Sequence, residues 1–367
     1  MKLLCILPVL LLACVEPAAS SVQSYDSIFS FGDSFADTGN DIVVFGENSL
    51  VTPAAELPYG MTFFGRPTGR NSNGRLIIDF IAEKLELPFV PPYLTHNGSF
   101  RRGANFAVAG ATALDASFFR DIPGVGQFVL NSSSGVQLRW FDSLKPSLCS
   151  PEQACRCFFK KSLFFMGEIG FNDYSFAIFG MNTTQLRSIV PDVVKTVSAA
   201  IEVVIKQGAR TVVVPGIPPL GCTPPNLFFF PSTDPAGYEN STGCLKDLNE
   251  IAVHHNSLLQ ESLKNVRRNH PIARVVYADF FTPVIEMVQS PDKFVISTTV
   301  GLIQDVLRCC CGGGGKYNFN ISAGCGMPGA TVCEDPSAYL FWDGHLTEEA
   351  YRYIAKGWLN SIYNLEY

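Results

Sequence analysis

Ser27-Ile28-Phe29-Ser30-Phe31 runs directly into Gly32-Asp33-Ser34. The first five residues read as a short apolar strand, and the three that follow read as the polar turn that ends it. The same pattern recurs. Residues 162–166 form a second buried strand, followed by the polar turn Gly170-Phe171-Asn172-Asp173. Residues 211–214 form a third, closed by Pro215-Gly216, and residues 273–278 another. Helical patterns separate them. Residues 75–85 carry Leu76, Ile77, Phe80, Ile81 and Leu85 on one stripe. A long helix is predicted over 191–207, stopped by Gly208, and another over 247–266. Thr347 can cap a last helix, with Glu348 and Glu349 in its first turn favoured by the helix dipole and Tyr351, Ile354, Trp358 and Ile362 facing inward. Strands apolar on both faces, alternating with helices, predict an α/β fold with a mostly parallel sheet covered on both sides. Ligands bind such sheets beyond the C-terminal strand ends. The turns at Ser34, Asn172 and Gly216 are therefore expected to share one rim.

The chain has 367 residues, of which 47% are hydrophobic and 16% charged, which excludes a disordered protein. Its net charge is -6 and no basic block stands out, so no nucleic-acid partner is expected. There is no internal repeat and no linker-like shift in composition. The expectation is a leader at 1–20 and a single domain over 21–367.

The leader rests on Met1-Lys2, an apolar run from Leu3 to Cys14, and small residues ending at Ser20. The run is too short to span a bilayer, and it reads as a secretory signal peptide. No later stretch is long and apolar enough for a membrane span, so no stable membrane insertion is expected. Beyond Cys5 and Cys14 stand Cys149, Cys155, Cys157, Cys222, Cys244, Cys309, Cys310, Cys311, Cys325 and Cys333. In a secreted chain these favour disulfides over metal ligation, since no paired CxxC or histidine cluster accompanies them. The pairing stays open. Five sequons, at Asn97, Asn131, Asn182, Asn240 and Asn320, point to a glycoprotein.

A serine at a strand end can present its hydroxyl at the rim, but it needs a base to attack at neutral pH. Of the five histidines, His96 and His270 lie in polar, solvated segments. His254 and His255 lie in a helical pattern, where a surface or capping role is expected. His345 differs, because it follows Asp343 in Trp342-Asp343-Gly344-His345, just before the last helix. Asp343 is close enough to orient its ring. Acyl transfer also needs donors for an oxyanion. The Asn172 amide and the backbone N–H of Gly110, in Asn105-Phe-Ala-Val-Ala-Gly110-Ala-Thr112, are the candidates. Phe63-Phe64, Phe118-Phe119 and Phe228-Phe229-Phe230 could line an acyl or aromatic pocket, with core packing or loop anchoring the favoured reading.

Together these segments resemble the plant GDSL esterase/lipase family of the SGNH hydrolases. The likeness is carried by Phe29-Ser-Phe-Gly-Asp-Ser-Phe-Ala-Asp-Thr-Gly-Asn40, Gly110, Gly170-Phe-Asn172-Asp173, and Asp343 with His345. Pro58-Tyr59-Gly60, Gly65-Arg-Pro-Thr-Gly-Arg70, Gly74-Arg75-Leu76 and Val214-Pro-Gly-Ile-Pro-Pro-Leu-Gly-Cys222 support it, as does Tyr317-Asn318. It runs over about 27–359. The resemblance implies a three-layer α/β/α, flavodoxin-like domain. It implies a triad of Ser34, His345 and Asp343, with an oxyanion hole from the Ser34 and Gly110 N–H groups and the Asn172 side chain. No metal or organic cofactor is implied. The G-x-S-x-G elbow of α/β-hydrolases is absent. The chain is most similar to the subgroup that includes acetylajmalan and sinapine esterases, which points to a small acetyl or hydroxycinnamoyl ester. A polysaccharide-linked ester remains open.

Two departures stand out. The family usually has two residues between the aspartate and the histidine, and here Gly344 alone separates them. Asp343 is still expected to be the partner, since no other carboxylate lies as close upstream of His345. Cys309-Cys310-Cys311 also has three cysteines where the family often has two. A secreted glycoprotein that binds acyl or carbohydrate ligands, and an acyltransferase using the same acyl-enzyme, are the alternative functions.

Overall fold

Residues 24–95, 97–294 and 305–363 are described in a computed structural model. The leader at 1–20 and His96 lie outside them.

Five parallel strands form the frame: β1 (Ser27–Phe31), β2 (Gly103–Asn105), β3 (Ser162–Met166), β4 (Thr211–Pro215) and β5 (Arg274–Ala278). Their order in the sheet is β2-β1-β3-β4-β5. Every residue of β1, β3 and β4 is buried, as expected for strands covered on both faces. Ser27 Oγ and Ser162 Oγ pair at 2.7 Å across the β1–β3 ladder. Phe29, Phe141, Phe159 and Phe164 pack ring against ring beside β1 and β3.

Helices cover the sheet in two layers, giving the α/β/α sandwich. On one side the helix at Thr183–Lys206 packs against those at Lys246–Asn269 and Ser134–Leu148. On the other, the helix at Glu348–Tyr363 packs against that at Ile77–Lys84 and against β5. Tyr351, Ile354, Trp358 and Ile362 are all buried there. The Thr347 hydroxyl accepts from the Ala350 N–H at 3.4 Å, as a helix cap does.

The element bounds differ from the sequence reading for local reasons. The long helix begins at Thr183 rather than 191, with Pro191 inside it. A capping box starts it: Asn182 Oδ1 accepts from the Gln185 N–H at 3.0 Å, and the Asn182 N–H donates to Gln185 Oε1 at 2.9 Å. Buried Leu186, Ile189 and Val190 then hold the turns before the proline. The helix expected at 75–85 starts at Ile77, because the Asp79 carboxylate turns back to accept the Leu76 N–H at 2.9 Å. Asp79 is itself paired with buried Arg70 at 2.7 Å. The short strand β2 and the helix at Ser134–Leu148 carry no strong periodic signal and are absent from the sequence reading.

Among the described residues four cysteine pairs are joined, Cys149–Cys155, Cys222–Cys244, Cys310–Cys333 and Cys311–Cys325, and Cys157 is also disulfide-bonded. The expectation of disulfides throughout is corrected at Cys309, which stays a buried thiol. It is the first of the three adjacent cysteines, and the other two take the available partners. A strong reductant is expected to lower the thermal midpoint in a melt followed by circular dichroism, since losing one native disulfide typically costs about 2–5 kcal/mol. An unchanged midpoint in the reduced protein would count against any stabilising role for the four bridges.

Candidate active site

In a parallel sheet of order 2-1-3-4-5 the chain reverses direction between β1 and β3, which opens a crevice beyond their C-terminal ends. Ser34 leaves β1 into that crevice. The peptide chain around it is tied down on both sides. The Asp33 N–H donates to the Glu168 carbonyl after β3 at 2.8 Å, and the Phe35 N–H donates to Asp33 Oδ1 at 3.0 Å. Gln137, from the helix at Ser134–Leu148, accepts the Gly32 N–H at 2.9 Å and donates to the Gly32 carbonyl at 2.8 Å.

Ser34 is only 7% exposed, so its hydroxyl is not displayed freely at the rim as the sequence reading has it. His345 Nε2 lies 2.9 Å from Ser34 Oγ, across 311 residues of sequence. On the other side of the ring, Nδ1 lies 2.9 Å from Asp343 Oδ1. The ring packs against Phe35, with centroids 5.4 Å apart. The shortened Asp343-Gly344-His345 spacing thus brings carboxylate and imidazole together. Phe341 bridges Leu346 in antiparallel fashion, and the Trp342 N–H donates to the His345 carbonyl at 2.8 Å. Asp343 and Gly344 are left as a two-residue tip, the loop length that most tightly reverses a chain. The His345 N–H folds back onto Asp343 Oδ1 at 2.7 Å. Gly344 is needed for space, because a Cβ there would stand 2.8 Å from Pro225.

Burial works to raise the Asp343 carboxyl, but the His345 charge and hydrogen bonds and the Tyr59 hydroxyl more than offset it and hold it at about 2. Asp343 is therefore an anion at neutral pH, able to fix the ring's tautomer.

The segment that carries Gly110 is clamped from both ends. Asp37 Oδ2 accepts the Ala109 N–H at 2.9 Å, and Asp173 accepts the N–H groups of Ala113 and Leu114 at 2.7 and 2.9 Å. Gly110 itself has φ +77, a backbone conformation that glycine adopts without strain. Asn172 donates one amide hydrogen to the Ala111 carbonyl at 3.0 Å, and its amide has a second to give. The Gly170–Asp173 stretch is not a free turn, since Phe171–Ala177 is helical and Asn172 sits in its first turn. Among the described residues the N–H groups of Ser34 and Gly110 donate to no protein acceptor.

The other expected positions have different surroundings. The Gly216 turn serves packing: Gly216 donates to the Ala278 carbonyl at 3.0 Å and Ile217 pairs with the Asn256 amide. His255 is not on the surface. It is fully buried with Nδ1 2.7 Å from the Tyr174 hydroxyl, and burial lowers its pKa to about 3. The helix stripe turns it inward, toward Gly170. His270 is partly covered, 3.9 Å from the Glu202 carboxylate. Phe119 is core, while Phe228 and Phe229 are 41% and 37% exposed and gather with Phe179 and Phe319 rather than in the core. The sequence reading missed Gln137 and gave Asp37 and Tyr59 no role. Asp37 stands in the block Gly32–Asn40 and Tyr59 in Pro58-Tyr59-Gly60, so the signal was present, but only tertiary contacts show what each side chain holds.

Buried Glu168 lies behind the Ser34 turn, and burial pushes its pKa from 4.5 to about 8. Between those values the folded chain keeps a proton that the unfolded chain has released. Stability is therefore expected to fall as pH rises through that window. Thermal melts across it should show the fall, and Glu168→Gln should make it shallower, with buried Asp41 and Asp173, raised to about 6 and about 7, keeping part of it. A slope identical in parent and variant would mean that Glu168 is not its source.

A serine-bearing turn at the β1/β3 crevice, with an imidazole and a carboxylate in file behind the hydroxyl, is the arrangement that serine hydrolases use. The chain belongs to the GDSL-like lipase/acylhydrolase family, whose model matches residues 28–358. It is 42% identical over 350 residues to GDSL esterase/lipase At5g45910 of Arabidopsis thaliana, covering 93% of this chain and 92% of that relative. It is 44% identical over 362 residues to GDSL esterase/lipase At1g28590 of the same plant, covering 98% of this chain and 87% of the relative. The protein is thus a serine esterase/lipase of the plant GDSL type.

Proposed function

We propose that the protein is a secreted carboxylic-ester hydrolase in which Ser34 is the nucleophile, His345 the general base and Asp343 the orienting acid. The observation that carries this is the line Asp343 Oδ1, His345 Nδ1, His345 Nε2, Ser34 Oγ, with both gaps at 2.9 Å. Ser34 Oγ attacks the ester carbonyl carbon and its proton passes to His345 Nε2. The carbonyl π electrons move onto oxygen, where the Ser34 and Gly110 N–H groups and the Asn172 amide are the donors. As the oxyanion collapses, the C–O bond to the alcohol breaks and His345 returns the proton to the leaving alcohol. Water then attacks the acyl-enzyme, giving its proton to His345, and the acid leaves with Ser34 restored.

The proposed chain starts its mature form after a leader at 1–20 and continues as one domain over 21–367. The four disulfides between described residues and the plant relatives fit an extracellular protein. Among the described residues no helix is long and apolar enough to cross a membrane. The sequon residues Asn97, Asn131, Asn182 and Asn240 are exposed and Asn320 half-buried, so their amides are open to glycans. Endoglycosidase treatment of protein secreted by plant cells should reduce its apparent mass, and no change would remove the glycoprotein reading. Substrates are small-molecule or polysaccharide-linked esters, and neither a cofactor nor a nucleic acid takes part.

Asn172→Ala tests the oxyanion reading. It should cost about 10²–10³ in kcat with KM little changed. Turnover at the parent level would remove Asn172 from the donors. A panel of acetyl, longer acyl and hydroxycinnamoyl esters identifies the acyl group, and product analysis with a supplied alcohol separates hydrolysis from acyl transfer. The non-catalytic alternative requires that a serine-directed phosphonate fail to label the parent protein.

A further inference from the structure

We propose that Tyr59 is a positioning residue for this reaction, holding the Asp343 carboxylate so that one oxygen stays on the His345 ring. The proposal rests on the reading of Asp343 as the orienting acid. Its hydroxyl donates to Asp343 Oδ2 at 2.5 Å, from 284 residues away in sequence. The two carboxylate oxygens are thereby divided. Oδ1 receives both donors of His345, and Oδ2 receives Tyr59. With Oδ2 tethered, the carboxylate cannot rotate to offer its other oxygen or tip away from the ring.

The tip needs such an anchor. It is two residues long, one fewer than the family's usual spacing, and little backbone remains to set the aspartate side chain. Tyr59 is fit to supply the anchor. It is 2% exposed, its ring meets fully buried Trp342 edge-on at 6.1 Å, and both belong to a small core with Ala54, Cys310, Cys311 and Cys325. That core is braced by two disulfides, Cys310–Cys333 and Cys311–Cys325. It also holds the tip's own strand, since the Cys310 N–H donates to the Phe341 carbonyl at 2.9 Å and the Cys311 N–H to the Trp342 carbonyl at 2.7 Å. The unpaired, buried Cys309 thiol donates to the Asp343 carbonyl. Burial and the adjacent Asp343 charge push the Tyr59 hydroxyl well up, so it stays protonated and a donor. The aspartate side chain is thus fixed by a rigid platform as well as by its own short turn.

Tyr59→Phe keeps the ring and removes the donor. A donor to a charged acceptor is expected to account for about 10–100-fold in kcat, with KM within about twofold. Residues that act as a unit do not add. In an Asp343→Asn background the same change should therefore cost less than about twofold. A folded Tyr59→Phe with parent kcat, or an equal loss in both backgrounds, would overturn the proposal. If Tyr59→Phe does not fold, 3-fluorotyrosine at position 59 keeps both ring and hydroxyl while altering the donor's strength. It should change kcat in the parent and not in Asp343→Asn, and no difference between the two backgrounds would overturn the proposal. The underlying triad reading fails separately, if a serine-directed phosphonate does not label the parent or if Asp343→Asn leaves kcat unchanged.

Discussion

Ser34→Ala is expected to lower kcat for ester hydrolysis on the order of 10⁶-fold, leaving only what the oxyanion donors and binding supply. The reason is covalent. Without Oγ no acyl-enzyme forms, and water must attack the ester directly in a crevice shaped for a serine. Labelling by a serine-directed phosphonate should disappear with the same change. The fold should persist, because the turn is held by backbone bonds rather than by the hydroxyl: Asp33 to the Glu168 carbonyl, and Gly32 to Gln137. What the variant loses structurally is one 2.9 Å contact to His345 Nε2. Circular dichroism and a thermal melt alongside the rate measurement separate loss of chemistry from loss of fold. Parent-level hydrolysis by folded Ser34→Ala would move the nucleophile elsewhere.

Asp343→Asn should lower kcat by about 10⁴, the loss expected when the ring is held in the wrong tautomer. At present Asp343 Oδ1 accepts from Nδ1 and also from the His345 N–H, which an anion can do. An amide that turns its nitrogen to the ring donates to Nδ1, which leaves the proton on Nε2 and no lone pair there to take the Ser34 proton. The short spacing makes this test sharper. Inserting one apolar residue between Gly344 and His345 would restore the family's usual spacing, but it should lower activity here. The present two-residue tip already places the ring 2.9 Å from both partners, and Pro225 packs against Gly344. A gain from the insertion, or indifference to Asp343→Asn, would show that the carboxylate is not the ring's working partner.

Much of this was readable locally. The strands at β1, β3 and β4 are short, largely apolar runs ended by polar turns, a pattern that needs no partner to be recognised. Asp343 and His345 stand in one turn, so their pairing is a question of short-range geometry. The misses are of two kinds. Some elements lack a strong pattern, such as the three-residue strand β2, and the first two turns of the helix at Thr183–Lys206, which precede Pro191. Others depend on which way a residue in a recognised element faces. His255 is buried because its position on the Lys246–Asn269 helix points to Gly170 and Tyr174, and its neighbour His254 is exposed one residue away.

By itself the sequence determined the α/β alternation, the rim on which chemistry would sit, and the residue types able to perform it. These follow from hydrophobic periodicity, turn chemistry and the reactivity of single side chains, all of which act over a few residues. Only the tertiary structure decided that Ser34 and His345 meet across 311 residues, that Asp343 is held from behind by Tyr59, and that Cys309 is left unpaired beside the same turn. Those outcomes depend on how the sheet order places the end of β1 against the loop before the last helix, and on which cysteines the packing brings within bonding distance. Contacts between segments so far apart depend on how the whole chain packs, and no local pattern carries that information.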